Sequence, residues 1–189
     1  TLYNDRFNIA IDLLPFGEIE EKFTIQFNER YTDLHVLGFS EVLQESGTVQ
    51  IEEKSLKIPS LPGMVILKLI AWSDRPEDRD NDLYDILRII EYYFDLNFDE
   101  IVEHHNDTFL EEDDLDKFKI AARVLGRKAS HFLTISEAIN DRILKTINDN
   151  VADAKDSEIA KQWIRSREWD LEYAVQILEE FKLGLIENK

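Results

Sequence analysis

Cysteine is absent from the 189 residues, so neither a disulfide nor a thiolate metal site is available to this chain. The absence also fits a reducing cytoplasm, where the chain is expected to act. Long apolar runs are missing as well. The longest, Met64–Trp72, is interrupted by Lys68 and falls short of the ~18 residues of a membrane helix, so no membrane partner is expected. No secretory signal is visible. Glycine and proline are few, at six and four, and the 43% hydrophobic and 33% charged residues are ordinary globular proportions, which argues against disorder or a fibre. No phosphate-binding glycine loop, Ser-His-Asp pattern or HExxH occurs. Cations are scarce: 22 Lys and Arg against 40 Asp and Glu leave a net charge of −18, whose field repels duplex nucleic acid at long range. One basic cluster departs from this balance, Arg123, Arg127, Lys128 and His131, followed by Arg142 and Lys145. It reads as a solvated helix face. His104 and His105, adjacent on a helix, project about 100° apart and are not expected to share one ion.

The pattern that is present changes period once. Up to about residue 60 it alternates. In Phe7–Phe16, Phe7, Ile9, Ile11 and Leu13 share one face, and in Glu21–Phe27, Phe23, Ile25 and Phe27 do. Short strands are expected near Leu34–Leu37, Thr48–Ile51 and Ser55–Ile58, with a turn at Glu45-Ser46-Gly47. Ser60 then caps a helix with Pro62 in its first turn, and Leu61–Trp72 is apolar nearly all round. Asp82–Leu96 follows with an apolar stripe of Leu83, Ile86, Leu87, Ile90 and Phe94. Capping boxes are expected at Asn97/Glu100 and Thr134/Glu137. Leu115, Phe118, Ala122 and Leu125 mark a further helix, and others are expected from Thr134, near Asp156–Ile164 and after Asp170. Strands first and helices after predict an α+β fold, with a boundary near 105–112.

Three places could carry chemistry. Asp12 stands mid-strand in IAIDLLPF, a run apolar enough to be covered on both faces, so its carboxylate needs a hydrogen bond, a cation or a metal. Lys68 stands in an apolar helix whose i±3 and i±4 positions, Met64, Val65, Ala71 and Trp72, offer no anion. It either reaches water past Trp72, pairs with Asp82 or Asp85 of an antiparallel next helix, or meets a ligand phosphate. Asp82 and Asp85, at i, i+3, project from one side of a helical turn. Arg75, Arg79, Lys68 or a Mg²⁺ ion could serve both, and the helix dipole favours them there regardless.

Two of these motifs resemble the AbiEii/AbiGii-toxin-related group of nucleotidyltransferase-fold proteins. One is the strand ending in a Pro-Phe-Gly turn, IAIDLLPFG with Asp12. The other is the lysine, Ala-Trp-x-Asp-Arg turn and acidic pair of KLIAWSDRPEDRDNDLYDI. The resemblance covers roughly residues 7–96, and Asn81 stands where the family places a basic residue. It implies a mixed sheet with flanking helices over 1–105 and a helical region over 106–189. It also implies a site in which three carboxylates hold Mg²⁺ against a nucleoside triphosphate. Asp12 matches the third carboxylate. Lys68 and the Asp82/Asp85 pair match a motif that handles phosphate, with Arg75 beside it as a nucleotide contact. The first two carboxylates come in the family from an Asp-x-Asp strand after a Gly-Ser turn. That pattern does not occur here; Asp80-Asn81-Asp82 has the spacing but opens a helix. An N-terminal portion ahead of Thr1 is therefore expected.

Two functions follow from the resemblance. The first is a nucleotidyltransferase, the toxin half of a toxin–antitoxin pair, moving a nucleotidyl group from an NTP to an unidentified acceptor such as an RNA. The second is a catalytically degenerate interaction module on the same fold, an acidic surface for a basic partner such as an antitoxin. A third, plainer reading makes Lys68 and Asp85 a structural ion pair.

Overall fold

The computed structural model describes residues 2–11, 13, 16, 22–25, 34–109 and 115–187. Among them the chain runs β1 (Leu2–Asn4), β2 (Ile9–Ile11), β3 (Thr24–Ile25), β4 (Leu34–His35), α1 (Phe39–Gln44), β5 (Gly47–Ile51) and β6 (Lys54–Ile58). Helices follow: α2 (Leu61–Asp74), α3 (Asp80–Leu96), α4 (Phe98–His104), α5 (Lys117–Ile135), α6 (Glu137–Val151), α7 (Glu158–Ile164) and α8 (Leu171–Glu187). The change of period at Ser60 is thus where strands give way to helices, and the fold is α+β. The described strands pair antiparallel, two by two: β1 with β2, β3 with β4, β5 with β6.

The β5–β6 ribbon sets Val49 opposite Leu56 and Gly47 opposite Ile58. With alternation along each strand, Val49, Ile51, Leu56 and Ile58 share one face, and all four are exposed. Among the described residues the strand expected at Phe7–Phe16 appears as β2, and Phe7, Ile9 and Leu13 are exposed rather than covered. Asp12 lies outside the described residues. Around β3, Ile25 is buried as expected but Phe23 is exposed. Lys22 and Phe23 both take positive φ, which turns the backbone out of the pleat and breaks the alternation. Helix α1 was not legible. Its six residues, FSEVLQ, are too short for a helical stripe and bury only Val42.

Ser60 caps α2 as expected, its hydroxyl accepting from the Gly63 N–H at 3.2 Å with Pro62 in the first turn. The two capping boxes are not formed. The Asn97 side chain donates back to the Tyr93 carbonyl, and Glu100 pairs with Lys128. Ser136, not Thr134, caps α6 by accepting from the Ile139 N–H, while the Thr134 hydroxyl donates to the His131 carbonyl.

Helix α5 is the axis of the packing. It buries Ile120, Ala121, Val124, Leu125, Ala129, Phe132 and Leu133 around most of its circumference and touches α2, α3, α6 and α8. The helices before and after residue 105 share this one core. Asp116 caps α5 through the Phe118 and Lys119 N–H groups and also accepts from the Tyr173 hydroxyl at 3.0 Å. Burial and that neighbouring carboxylate push the Tyr173 phenol up. The closest approach is α5 against α8. A Cβ on Gly126 would lie 2.2 Å from the Phe181 carbonyl oxygen, and one on Gly184 would lie 2.1 Å from that of Arg123.

All of the basic cluster except the exposed Lys145 faces carboxylates of the chain itself. Arg123 meets Glu180 and Glu187 of α8, and Arg127 meets Glu187 and Asp107. Lys128 meets Glu100, Arg142 meets Asp74, and His131 approaches Glu45. The His105 Nδ1 lies 3.2 Å from the Arg127 guanidinium. Burial, then the charges of Arg127 and Lys128, hold its imidazole below the ordinary value.

Because backbone blocks both glycines, Gly126→Ala and Gly184→Ala are each expected to cost about 3 kcal/mol or more by urea denaturation. Gly47→Ala, whose Cβ would meet only the Ile58 carbonyl oxygen at 3.9 Å, is expected to stay within about 0.5 kcal/mol.

Candidate functional site

Lys68 sits in the middle of α2, whose own face supplies no anion. The chain turns back through Arg75–Arg79, and α3 brings its first two turns alongside. The Lys68 Nζ donates to Asp82 Oδ1 at 3.0 Å and to Asp85 Oδ2 at 2.7 Å. Of the routes open to the lysine, pairing with both aspartates is therefore one the protein uses. The exposures differ within the cluster: the Asp82 side chain is 14% accessible and that of Asp85 49%. Asp82 Oδ2 is buried without a hydrogen bond, and the Arg79 guanidinium approaches it at 3.5 Å. Burial alone would lower the Lys68 ammonium, but the hydrogen bonds to Asp85 and Asp82 outweigh it and hold its pKa above the ordinary value.

The acidic pair is itself anchored. Leu83, Ile86, Leu87 and Ile90 bury the opposite face of α3. The indole of Trp163, fully buried on α7, donates to the Leu83 carbonyl at 3.0 Å. The first turn of α3 is thus fixed from the far side, one residue from Asp82. Trp163 was legible only as a core residue, because its partner lies 80 positions away.

An ammonium carries three N–H donors. Two are engaged by Asp82 and Asp85, which leaves one for a ligand. Lys68 and Asp85 line an open groove of about 610 Å³ along the α2–α3 seam, with Leu61, Met64, Arg88, Ile89, Tyr92 and Leu96. Arg75, expected as a nucleotide contact, ends α2 with its backbone N–H on the Trp72 carbonyl and is not among the residues that line this groove. Arg88 and Tyr92 were not anticipated. Their spacing from Asp85, three and seven residues along α3, was the signal that could have found them.

A family model described as "Nucleotidyl transferase AbiEii toxin, Type IV TA system" matches residues 9–176. The chain belongs to this family. It is a family of nucleotidyl transferase toxins of type IV toxin–antitoxin systems. The match spans the Asp12 strand, the Lys68–Asp82–Asp85 cluster and most of the helical region. No curated protein and no solved structure matches the chain.

Enzymes of this kind generally use a divalent ion. Asp82 and Asp85 do not by themselves fit one, because both already accept from the Lys68 ammonium, which stands between them where an ion would. Among the described residues no three His, Asp or Glu side chains stand together as a metal-binding group. Among the described residues, too, no helix is long and apolar enough to cross a membrane.

Lys68→Met strands the mostly buried Asp82 beside Asp85 with less positive charge. Discounted for the exposure of Asp85, the loss is expected to be about 1–3 kcal/mol at pH 7 in denaturant titrations. The folded pKa of Lys68 is raised, so its contribution is fully present below the ordinary value of 10.5 and lost as pH rises through the folded value. The stability gap between wild type and Lys68→Met should therefore close above that pH.

Proposed function

We propose that this chain provides the phosphate-handling part of a nucleotidyl transferase acting in the cytoplasm on a nucleoside triphosphate. An acceptor hydroxyl oxygen forms a bond to the α-phosphorus, the bond to pyrophosphate breaks, and the hydroxyl proton leaves to a base. Lys68 supplies one N–H to the phosphate. Asp82 holds the lysine from its buried side, and Asp85, half open to solvent, orients it or receives the proton. Asp12 is assigned to a divalent ion such as Mg²⁺, and Arg75 to the nucleotide at the end of α2. The acceptor is a hydroxyl, with RNA one candidate, and an antitoxin is the partner that the family suggests.

The observation that carries this reading is the ammonium held by two carboxylates on the wall of an open groove. An ion pair made only for stability needs no opening. Electrostatic positioning of this type supplies most of the catalysis in phosphoryl-type transfer.

A second reading has its own support: with both aspartates engaged, Lys68 is already neutralised without a ligand. In the degenerate module, the cluster is structural and the acidic surface meets a basic partner. Replacing all three residues by apolar ones then leaves stability unchanged or improved.

Calorimetry with Mg·NTP separates the two. The transferase reading expects saturable nucleotide binding that weakens at least about tenfold in Lys68→Met, worth about 1.4 kcal/mol. Asp85→Asn is expected to bind nucleotide but transfer it slowly. Absence of nucleotide binding by the wild-type protein would overturn the reading.

A further inference from the structure

The α2–α3 groove carries more than the Lys68 cluster requires. Its wall runs in one order along both helices, from Lys68 and Asp85 through Met64, Arg88, Ile89 and Tyr92 to Leu61 and Leu96. One end is charged and the other apolar. The apolar end is open to water: Tyr92 is 54% accessible and Leu96 70%.

Arg88 sets the charged end apart. Arg79, Arg123, Arg127, Arg142, Arg165 and Arg167 each face a carboxylate. Arg88 is exposed and makes no ion pair with any described residue, in a chain with 40 acidic side chains to choose from. It stands one turn beyond Asp85 and one turn before Tyr92. A guanidinium left unpaired on a groove wall is suited to a planar, bidentate anion such as a phosphate. The four residues from Arg88 to Tyr92 rise about 6 Å along the helix axis. That is about the reach of one ribose. An exposed aromatic face beside a flexible thioether, Met64, offers a platform on which a base of any kind can stack. The groove's size falls in the range that encloses small ligands.

We propose that this groove seats one nucleotide unit, with its phosphate on Arg88 beside the spare donor of Lys68 and its base on Tyr92 and Met64. The proposal rests on the transferase reading and extends it to three residues which that reading does not use. The unit can be the nucleoside triphosphate or the terminal nucleotide of an RNA acceptor, since both present the same chemistry.

The test is calorimetry on the 189-residue chain with Mg·ATP and, separately, with a short single-stranded oligoribonucleotide. Arg88→Ala, Tyr92→Ala, Tyr92→Phe and Lys68→Met are compared, with folding checked by circular dichroism. Arg88→Ala and Tyr92→Ala are each expected to weaken one of the two ligands about tenfold or more, and which ligand identifies the source. Tyr92→Phe should bind as wild type, because stacking uses the ring face and not the hydroxyl. Wild-type affinity for both ligands in Arg88→Ala and Tyr92→Ala, with loss in Lys68→Met, would overturn this proposal and leave the transferase reading standing. No binding of either ligand by the wild type would remove both. A Tyr92→Ala change that alters only the sedimentation of the protein would make the groove a contact between copies and also overturn the proposal.

Discussion

Helix α5 can be surrounded only because two backbones are allowed to touch. At the Gly126–Gly184 crossing α8 comes closer than any side chain would permit. From that contact follow the depth of burial of α5 and the reach of Arg123 and Arg127 to Glu187 at the far end of α8. Once α8 is seated, Tyr173 reaches the Asp116 cap, and Trp169 meets Phe118 edge to face with ring centroids 4.8 Å apart. The α2–α3 pair packs on the same helix. The seam that holds Lys68 is therefore built on a core whose tightest point is a pair of hydrogen atoms in place of side chains.

Electrostatics repeat one solution at several places. A chain so rich in carboxylates has no difficulty pairing a buried or half-buried cation, and it ties helices together with them. Arg127 joins α5 to α8 and to Asp107, Arg142 joins α6 to the end of α2, and Arg167 joins the α7–α8 connection to α3. Lys68 does the same between α2 and α3. Like Arg123 and Arg127 it holds two carboxylates, and it differs in lining an open groove between the helices it joins. Where a cation has neither a partner nor a structural task, as at Arg88, an external anion is the economical assignment.

The Lys68 cluster was legible because it is short-range. A lone charge in an apolar helix, a turn, and two aspartates at i, i+3 lie within 18 residues, and the Ser60 cap and the Leu83–Phe94 stripe obey local rules. What escaped depends on distance or on brevity. Helix α1 is too short to show a period. The capping boxes failed because Glu100 found Lys128 and Ser136 outcompeted Thr134. The glycine crossing and the Trp163–Leu83 bond join residues far apart in the chain, and no local pattern announces them. The alternation around β2 read as a strand covered on both faces, whereas Phe7, Ile9 and Leu13 are open to solvent. Alternation says which residues share a face, not whether anything lies on it.

That last point bears on the β5–β6 ribbon. Val49, Ile51, Leu56 and Ile58 form an adhesive strip, and Thr48, Gln50, Ser55 and Lys57 back it. Two strands alone do not hide such a strip. What keeps molecules apart in solution is then the net charge of −18, which acts as a colloidal stabiliser. With an isoelectric point near 4.5, mild acid removes that repulsion while the strip remains. The acidity of this chain thus opposes contact between copies through the strip, and that opposition fades as the carboxylates protonate.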